Sequence, residues 1–121
     1  EVNKQEIENT DIFPSLAWVV FIGDNGSPIH FHRLTKDKYI FGKGDDVHIQ
    51  VEDDFASKLH ALIYFENDSF YISDLGSTNG TFLNKKKIMK GELKDGDLIR
   101  IGHQNIIFNC VNKKLGNNYG H

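Results

Sequence analysis

Small hydroxyl, amide and lysine side chains collect in three loops, two of which contain glycine. The first holds Gly42 and Lys43, the second spans residues 52–60, and the third spans residues 75–81. Together they offer two lysine ammonium groups, serine and threonine hydroxyls, an asparagine amide and accessible backbone N–H groups. Cations, hydroxyl donors and unpaired N–H groups are the groups that bind phosphate. These loops are therefore either a phosphate site or ordinary polar turns.

A serine and a histidine in the second loop raise the possibility of hydrolysis. Ser57 and His60 lie three residues apart, and Asp74 is a nominal third member of a catalytic triad. However, no Gly-x-Ser-x-Gly nucleophile turn surrounds Ser57. The segment 42–44 also lacks the flanking glycine and hydroxyl residues of a nucleotide-binding loop. We predict no catalytic residues and no enzyme activity, and keep a small hydrolase using Ser57 and His60 as an alternative.

Two histidines and one cysteine are the obvious candidates for metal ligands. His30 and His32 lie two residues apart and would share one face of a strand, with no third ligand at a motif spacing. Cys110 lies in an apolar segment, where a cysteine usually acts as a small core residue. Because it is the single cysteine, no internal disulfide can form. We therefore predict no metal site and no cofactor.

Length and composition place the chain among globular domains. It has 121 residues, 39% of them hydrophobic and 26% charged, which suits one domain. The net charge of −3 argues against direct binding of nucleic acid, which usually requires a basic surface. The longest apolar run, residues 16–22, is far shorter than the roughly 18 residues of a membrane span. We expect a monomeric domain that binds neither nucleic acid nor membrane.

Short apolar segments separated by turn residues dominate the chain. None shows a sustained helical period, so the pattern predicts a sandwich or a barrel, and we expect an all-β sandwich of about ten to eleven strands. The run 16–22 is apolar throughout, which predicts a strand covered on both faces. The predicted strands are residues 16–22, 29–34, 39–41, 48–51, 61–65, 70–73, 81–83, 88–89, 98–101 and 105–111.

The polar ends of the chain differ from this strand-rich centre. We predict a flexible lead-in over residues 1–14, one domain over residues 15–112, and a flexible tail over residues 113–121. Since the lead-in has neither a basic nor an apolar stretch, it is not a signal peptide. The sequence is most simply a domain of a longer protein.

Three motifs in fixed order resemble the forkhead-associated (FHA) domain. The family pattern is Gly-Arg, then Ser-x-x-His, then Asn-Gly, and the resemblance extends over roughly residues 16–111. It implies a sandwich of two sheets whose loops at one end bind phosphothreonine in a partner protein. The matching segments are Phe41-Gly42-Lys43, Ser57-Lys58-Leu59-His60 and Gly76-Ser77-Thr78-Asn79-Gly80-Thr81.

The resemblance also implies roles for residues that would contact the ligand. Ser57 would donate a hydrogen bond to the phosphate, and Lys58 beside it would add a positive charge. Thr78 would line the pocket for the phosphate and the threonine. Asn79 would hold the main chain of the peptide next to the phosphothreonine.

Other matched positions would shape the site. Gly42, His60 and Gly80 would be structural, with His60 bracing the loop and Gly80 permitting a tight turn. Lys43 stands where the family has arginine; its ammonium is a flexible point charge, whereas arginine offers a planar fork. Phe55 is not a motif position, but it lies two residues before Ser57 in a loop expected to line the peptide groove, where an exposed apolar side chain would favour an aliphatic residue a few positions after the phosphothreonine.

The leading functional hypothesis is therefore a module that binds a phosphothreonine-containing protein or peptide. The family implies a signalling role in the nucleus or the cytoplasm. The lysine at position 43 leaves a second hypothesis open, in which the same fold is a phosphate-independent surface for protein interaction or dimerisation. Binding that is lost on dephosphorylation of the partner separates the first hypothesis from the second.

Overall fold

The computed structural model describes residues 15–112, and these residues form eleven strands. The predicted flexible segments 1–14 and 113–121 lie outside the described residues. The strands are β1 (Ser15–Ile22), β2 (Pro28–Leu34), β3 (Lys38–Gly42), β4 (Ile49–Gln50), β5 (Ala61–Glu66), β6 (Ser69–Asp74), β7 (Thr81–Leu83), β8 (Lys86–Ile88), β9 (Lys90–Leu93), β10 (Asp97–Ile101) and β11 (Gln104–Asn112).

The strands form two sheets. One has six strands in the order β2-β1-β11-β10-β7-β8, and the other has five in the order β4-β3-β5-β6-β9. All neighbouring pairs are antiparallel except β3 and β4, which run parallel. The predicted all-β sandwich is therefore confirmed. Nothing helical within residues 15–112 has the length and apolar character needed to cross a bilayer.

A single apolar core lies between the two sheets. Phe70 on β6 of one sheet and Phe108 on β11 of the other have ring centroids 5.3 Å apart, so the two inner faces are in contact. Burial of such side chains contributes about 1.5–3 kcal/mol each, which fixes the strands on which the loops are mounted. The buried apolar residues are Ala17, Val19, Phe21, Leu34, Phe41, Ile49, Val51, Ala56, Ala61, Ile63, Phe70, Ile72, Leu93, Ile99, Ile101, Ile106 and Phe108.

The expectation that both faces of β1 are covered is wrong for the described residues. Residues 17, 19 and 21 are buried, but Trp18 and Val20 are only half-buried and Leu16 is 36% exposed. Because side chains alternate across a strand, the second set faces away from the core. An apolar run therefore identified the strand correctly but not its environment.

The predicted strand at residues 88–89 is also wrong. The chain instead makes two strands there, with β8 ending at Ile88, β9 starting at Lys90, and Met89 exposed between them. Gly91 pairs with Ile72 inside β9. A Cβ at Gly91 would lie only 3.0 Å from a methyl carbon of Leu83, so close packing explains the glycine.

Tight turns join several of the strand pairs. Asn67 and Asp68 have φ angles of 53° and 65° between β5 and β6. Two consecutive residues with positive φ form the type I′ turn that matches the twist of a hairpin. Asn84 and Lys85 make the same turn between β7 and β8, with φ of 50° and 73°.

Candidate functional site

Hydrogen bonds join the β3–β4, β4–β5 and β6–β7 loops into one cluster. The backbone N–H of Lys43 donates to the carbonyl of Ser57 at 3.0 Å. The N–H of Thr78 donates to Ser57 Oγ, and Asn79 Nδ2 donates to the carbonyl of Phe55, both at 3.0 Å. The structure thus brings together four predicted site residues from the three motifs, and Phe55 beside them.

The imidazole of His60 lies at the centre of this cluster and is fully buried. The N–H of Ser57 donates to His60 Nδ1 at 3.0 Å, so that nitrogen carries no proton. The proton of a neutral ring is then on Nε2, which donates to the carbonyl of Gly80 at 2.9 Å. His60 therefore fastens the β4–β5 loop to the β6–β7 loop.

The same bonds separate the members of the nominal triad. Ser57 Oγ accepts from Thr78 rather than facing His60, and both ring nitrogens of His60 are already paired. The Asp74 carboxylate is bonded within its own loop and to β7, not to the imidazole. His60 is consequently not placed to take a proton from the Ser57 hydroxyl.

The carboxylate of Asp74 organises the β6–β7 loop. It accepts hydrogen bonds from the backbone N–H groups of Gly76 and Ser77 and from the hydroxyls of Ser77 and Thr81. Burial works against its ionisation, but the bonds from Ser77, Thr81 and the backbone outweigh burial and lower the pKa of Asp74. The ionised group therefore holds the loop that carries Thr78.

Two glycines of the motifs are required by the geometry. A Cβ at Gly42 would overlap the carbonyl group of Lys58, because the end of β3 passes directly against the β4–β5 loop. Gly80 has φ of +94°, a conformation that side chains disfavour. A Cβ there would also lie 2.8 Å from Cε of Lys87, whose aliphatic chain covers this glycine.

Several hydrogen-bond donors of the cluster remain available to a ligand. Ser57 Oγ accepts from Thr78, so its own hydroxyl hydrogen is free to be donated. Lys58 is exposed, and its ammonium has no hydrogen bond or ion pair with any residue from 15 to 112. The ammonium of Lys43 is 3.3 Å from the carbonyl of Asp54, a weak contact at an exposed position.

Two residues near the cluster were not singled out from the sequence. The Asp53 carboxylate accepts from the N–H of Phe55 at 2.9 Å and the N–H of His103 at 3.0 Å, and pairs with the His103 ring at 3.4 Å. Burial raises the pKa of Asp53. The hydrogen bonds from Phe55 and His103, together with the nearby His103 ring, have a larger effect in the opposite direction, so the pKa lies below its ordinary value. The β10–β11 turn is thereby fixed to the β4–β5 loop.

Of the residues around the cluster, Asp53 could have been found from the sequence, whereas His103 and Lys87 could not. An aspartate whose carboxylate accepts from the N–H two residues later, as Asp53 does from Phe55, is a common turn-forming arrangement and was detectable from the sequence. The places of His103 and Lys87 depend on which strands are paired, which no local pattern shows.

The candidate metal ligands lie away from this cluster. His30 and His32 share one face of β2, as predicted, with rings 6.5 Å apart and edges towards Phe21. Burial and the neighbouring His30 lower the pKa of His32. Cys110 packs partly against the core, where burial and Asp95 raise the pKa of its thiol. Within residues 15–112, no three side chains of metal-binding type are grouped to hold an ion.

Removal of the His60 ring should destabilise the domain. His60→Ala leaves the Gly80 carbonyl without a donor and the Ser57 N–H without an acceptor, so we expect a loss of about 1–3 kcal/mol in unfolding free energy. Urea denaturation measures this loss. His103→Ala is the control, because its side chain is 71% exposed and its loss should be smaller. Equal losses would contradict the bracing role.

Asp74 should make stability depend on pH. A carboxyl group whose pKa is lowered by folding stabilises the protein above its unfolded pKa of about 3.9, and this stabilisation is lost as pH falls through the folded pKa. We expect Asp74→Asn to be less stable than the parent at pH 7 and the difference to shrink below about pH 4. Urea denaturation at both pH values measures this, with the exposed Asp24→Asn as control. A constant difference between Asp74→Asn and the parent would contradict it.

Comparison with known proteins identifies the fold family. The family profile described as "FHA domain" matches residues 39–102. The FHA domain-containing protein FhaA of Mycobacterium tuberculosis is 36% identical over 84 residues, which cover 69% of this chain and 16% of FhaA. The chain therefore spans less than a fifth of that relative.

Solved structures agree with the sequence match. A structure described as showing phosphothreonine-dependent FHA domain interactions has a TM-score of 0.70 and 30% identity, covering 78% of this chain and 95% of that chain. EmbR of Mycobacterium tuberculosis, in complex with a low-affinity phosphopeptide, has a TM-score of 0.71 and 27% identity, covering 78% of this chain and 24% of EmbR. The motifs, the two-sheet sandwich and these matches show that the chain belongs to the FHA domain family.

Proposed function

We propose that this domain binds a phosphothreonine-containing segment of a partner protein. The observation that carries the proposal is the bond from the Thr78 N–H to Ser57 Oγ, which leaves the serine hydroxyl hydrogen free beside two lysines. Ser57 would donate that hydrogen to a phosphate oxygen, and Lys43 and Lys58 would balance the charge. The phosphopeptide present in the EmbR structure supports the same class of ligand.

The number of available donors is sufficient for a useful affinity. A hydrogen bond to a charged group contributes about 1.5–3 kcal/mol net, so three or four from Ser57, Lys43, Lys58 and Thr78 could hold one phosphate. The Ser57–Thr78 and Lys43–Ser57 bonds set these groups in place before the ligand arrives. Such preorganisation reduces the conformational entropy lost on binding.

Asn79 and Phe55 would read the peptide around the phosphothreonine. One N–H of the Asn79 amide is bonded to the Phe55 carbonyl, which leaves its second N–H and its oxygen for a peptide backbone. The Phe55 ring is 50% exposed and meets the edge of the His103 ring at 4.8 Å. This apolar surface favours an aliphatic residue a few positions after the phosphothreonine.

One observation favours the phosphate-independent alternative. The Lys43 ammonium already contacts the Asp54 carbonyl, and four exposed carboxylates, on Asp45, Asp46, Glu52 and Asp54, lie in the same two loops. These charges oppose an anion near Lys43. A peptide without phosphate is therefore an essential comparison.

The wider properties of the domain are part of the proposal. We infer a monomeric interaction module without catalysis of its own, since FHA domains are interaction modules. The net charge of −3 supports the expectation that it binds neither nucleic acid nor membrane. FhaA and EmbR are mycobacterial proteins. They support an intracellular setting and provide no support for a nuclear one.

Three peptides that differ only at one residue test the proposal. Isothermal titration should rank phosphothreonine first, then phosphoserine, with no detectable binding of unmodified threonine. One buried methyl group accounts for up to about 0.8 kcal/mol of the first difference. Affinity should fall as pH drops through the second phosphate pKa of about 6, because the dianion pairs best with lysine. Equal binding of plain threonine would refute phosphate recognition.

Variants of the loop residues show where the phosphate lies. Ser57→Ala and Asn79→Ala should weaken phosphopeptide binding without lowering the melting temperature much, because Ser57 is only half-buried, Asn79 is exposed, and neither belongs to the apolar core. Lys43→Glu should weaken it strongly, whereas Lys43→Arg should bind at least as tightly because arginine offers two parallel donors. If Lys43→Glu bound as well as the parent, the phosphate would lie elsewhere.

A further inference from the structure

Two cations and an aromatic ring form a row on the outer face of the six-stranded sheet. In the register of that sheet, Arg100 on β10 lies beside Phe82 on β7, and Phe82 lies beside Lys87 on β8. The neighbours of Arg100 along β10, Ile99 and Ile101, are buried in the core. Because side chains alternate across a strand, the row faces away from the core. We call Arg100, Phe82 and Lys87 the β7 row.

The guanidinium of Arg100 is oriented by two contacts. Its central carbon lies 4.3 Å from the centroid of the Phe82 ring, and one of its N–H groups donates to the carbonyl of Gly102 at 3.1 Å. These contacts leave other N–H groups of the planar fork available to a ligand. A fork that is already oriented loses less conformational freedom when it binds the paired oxygens of a carboxylate or a phosphate.

The side chain of Lys87 reaches the β6–β7 loop. A Cβ on Gly80 would lie 2.8 Å from Cε of Lys87 and 3.3 Å from Cδ, so the aliphatic chain crosses this glycine. The ammonium group, one bond beyond Cε, is therefore beside the turn that carries Asn79. The arginine end of the row meets the same turn in a cavity of about 260 Å³. The residues that line this cavity are Phe55, Asn79, Phe82, Arg100, Gly102 and His103.

Charge is distributed unevenly on the two sides of Phe55 and His103. These two residues line two separate cavities. One cavity has Lys43 and three carboxylates in its wall, whereas the other has Arg100 and no carboxylate. The three carboxylates are those of Glu52, Asp53 and Asp54. An extended ligand that passes the two rings therefore meets an acidic surface on one side and a basic surface on the other.

The cations of the β7 row have no counterion within residues 15–112. Both side chains are exposed, and neither Arg100 nor Lys87 forms an ion pair with a carboxylate in this part of the chain. Unpaired cations beside a binding site attract an oppositely charged group of the ligand and oppose a cationic one. The row therefore favours partners that carry a negative charge at this place.

We propose that the β7 row binds an anionic side chain of the partner, either a carboxylate or a second phosphate, a few residues from the phosphothreonine. Arg100 binds two oxygens of that group, and Lys87 adds a second positive charge. The anionic residue is separate from the aliphatic residue that Phe55 favours. The inference rests on the proposed function, since the phosphothreonine first brings the segment to Asn79.

The test is a scan of one phosphothreonine peptide with alanine on both sides. Each of the five residues before and after the phosphothreonine is replaced in turn by glutamate or phosphoserine, and isothermal titration measures each affinity relative to the alanine peptide. We expect one or two neighbouring positions at which glutamate binds about fivefold tighter, as for an exposed ion pair of good geometry. Phosphoserine at these positions should bind tighter still, because it carries nearly two charges.

Substitutions in the row show whether it is responsible. In a variant with Arg100→Gln and Lys87→Gln, the gain from glutamate or phosphoserine should fall below about twofold. A ratio of two affinities within one variant cancels any general effect of the lost charge on the phosphothreonine itself. The matched control carries Lys38→Gln and Lys90→Gln, two exposed lysines on β3 and β9 of the other sheet, and should keep the gain. Circular dichroism and the melting transition establish that each variant keeps its fold.

Three results would overturn the proposal: no position at which an added anion strengthens binding, a gain that survives in the Arg100 and Lys87 variant, or a gain lost equally in the control. A gain from phosphoserine alone would support a site for a second phosphate, and a gain from both residues would support a site for any anionic side chain. Failure of the proposed function would be distinct, because the alanine-flanked phosphothreonine peptide would bind no better than its unmodified form. The inference would then fall with it.

Discussion

The arrangement of the loops depends on one buried imidazole. His60 accepts a hydrogen bond from Ser57 with one ring nitrogen and donates one to Gly80 with the other. Each polar atom of a fully buried side chain must be paired, because an unpaired one costs about 1–3 kcal/mol. The distance between the β4–β5 and β6–β7 loops is therefore set by the width of a single ring. Ser57 and Thr78, which belong to different loops, come within hydrogen-bond distance as a result.

The sandwich supplies the fixed positions from which this arrangement starts. Phe41, near the end of strand β3, is buried in the core, and its backbone carbonyl accepts a hydrogen bond from the His60 N–H. The carbonyl of His60 in turn accepts from Leu75, just beyond β6. The backbone around the imidazole is thus tied to strands of the five-stranded sheet. Side chains that recognise a ligand can then be mounted on loops without making those loops mobile.

The sequence predicted the architecture and the members of the loop cluster more reliably than their surroundings. Short apolar segments and turn residues located nine of the ten predicted strands, because those signals are local. The exposed outer face of β1 was missed, since an apolar run does not show what lies opposite it. The close packing of Gly91 against Leu83 could not be predicted, because Leu83 belongs to the other sheet. His103 was missed for a similar reason, as its partner Asp53 is fifty residues away.

The bond between Thr78 and Ser57 has a consequence for how binding energy is distributed. A hydroxyl that accepts from a backbone N–H is polarised, and its own hydrogen becomes a stronger donor. With a phosphate oxygen as acceptor, the Thr78 amide, the Ser57 hydroxyl and the phosphate would form one continuous chain of hydrogen bonds. The backbone dipole of one loop would then act on the ligand through the side chain of another. In free-energy terms the two loops would be coupled rather than additive, so a perturbation of either would be felt in the strength of both.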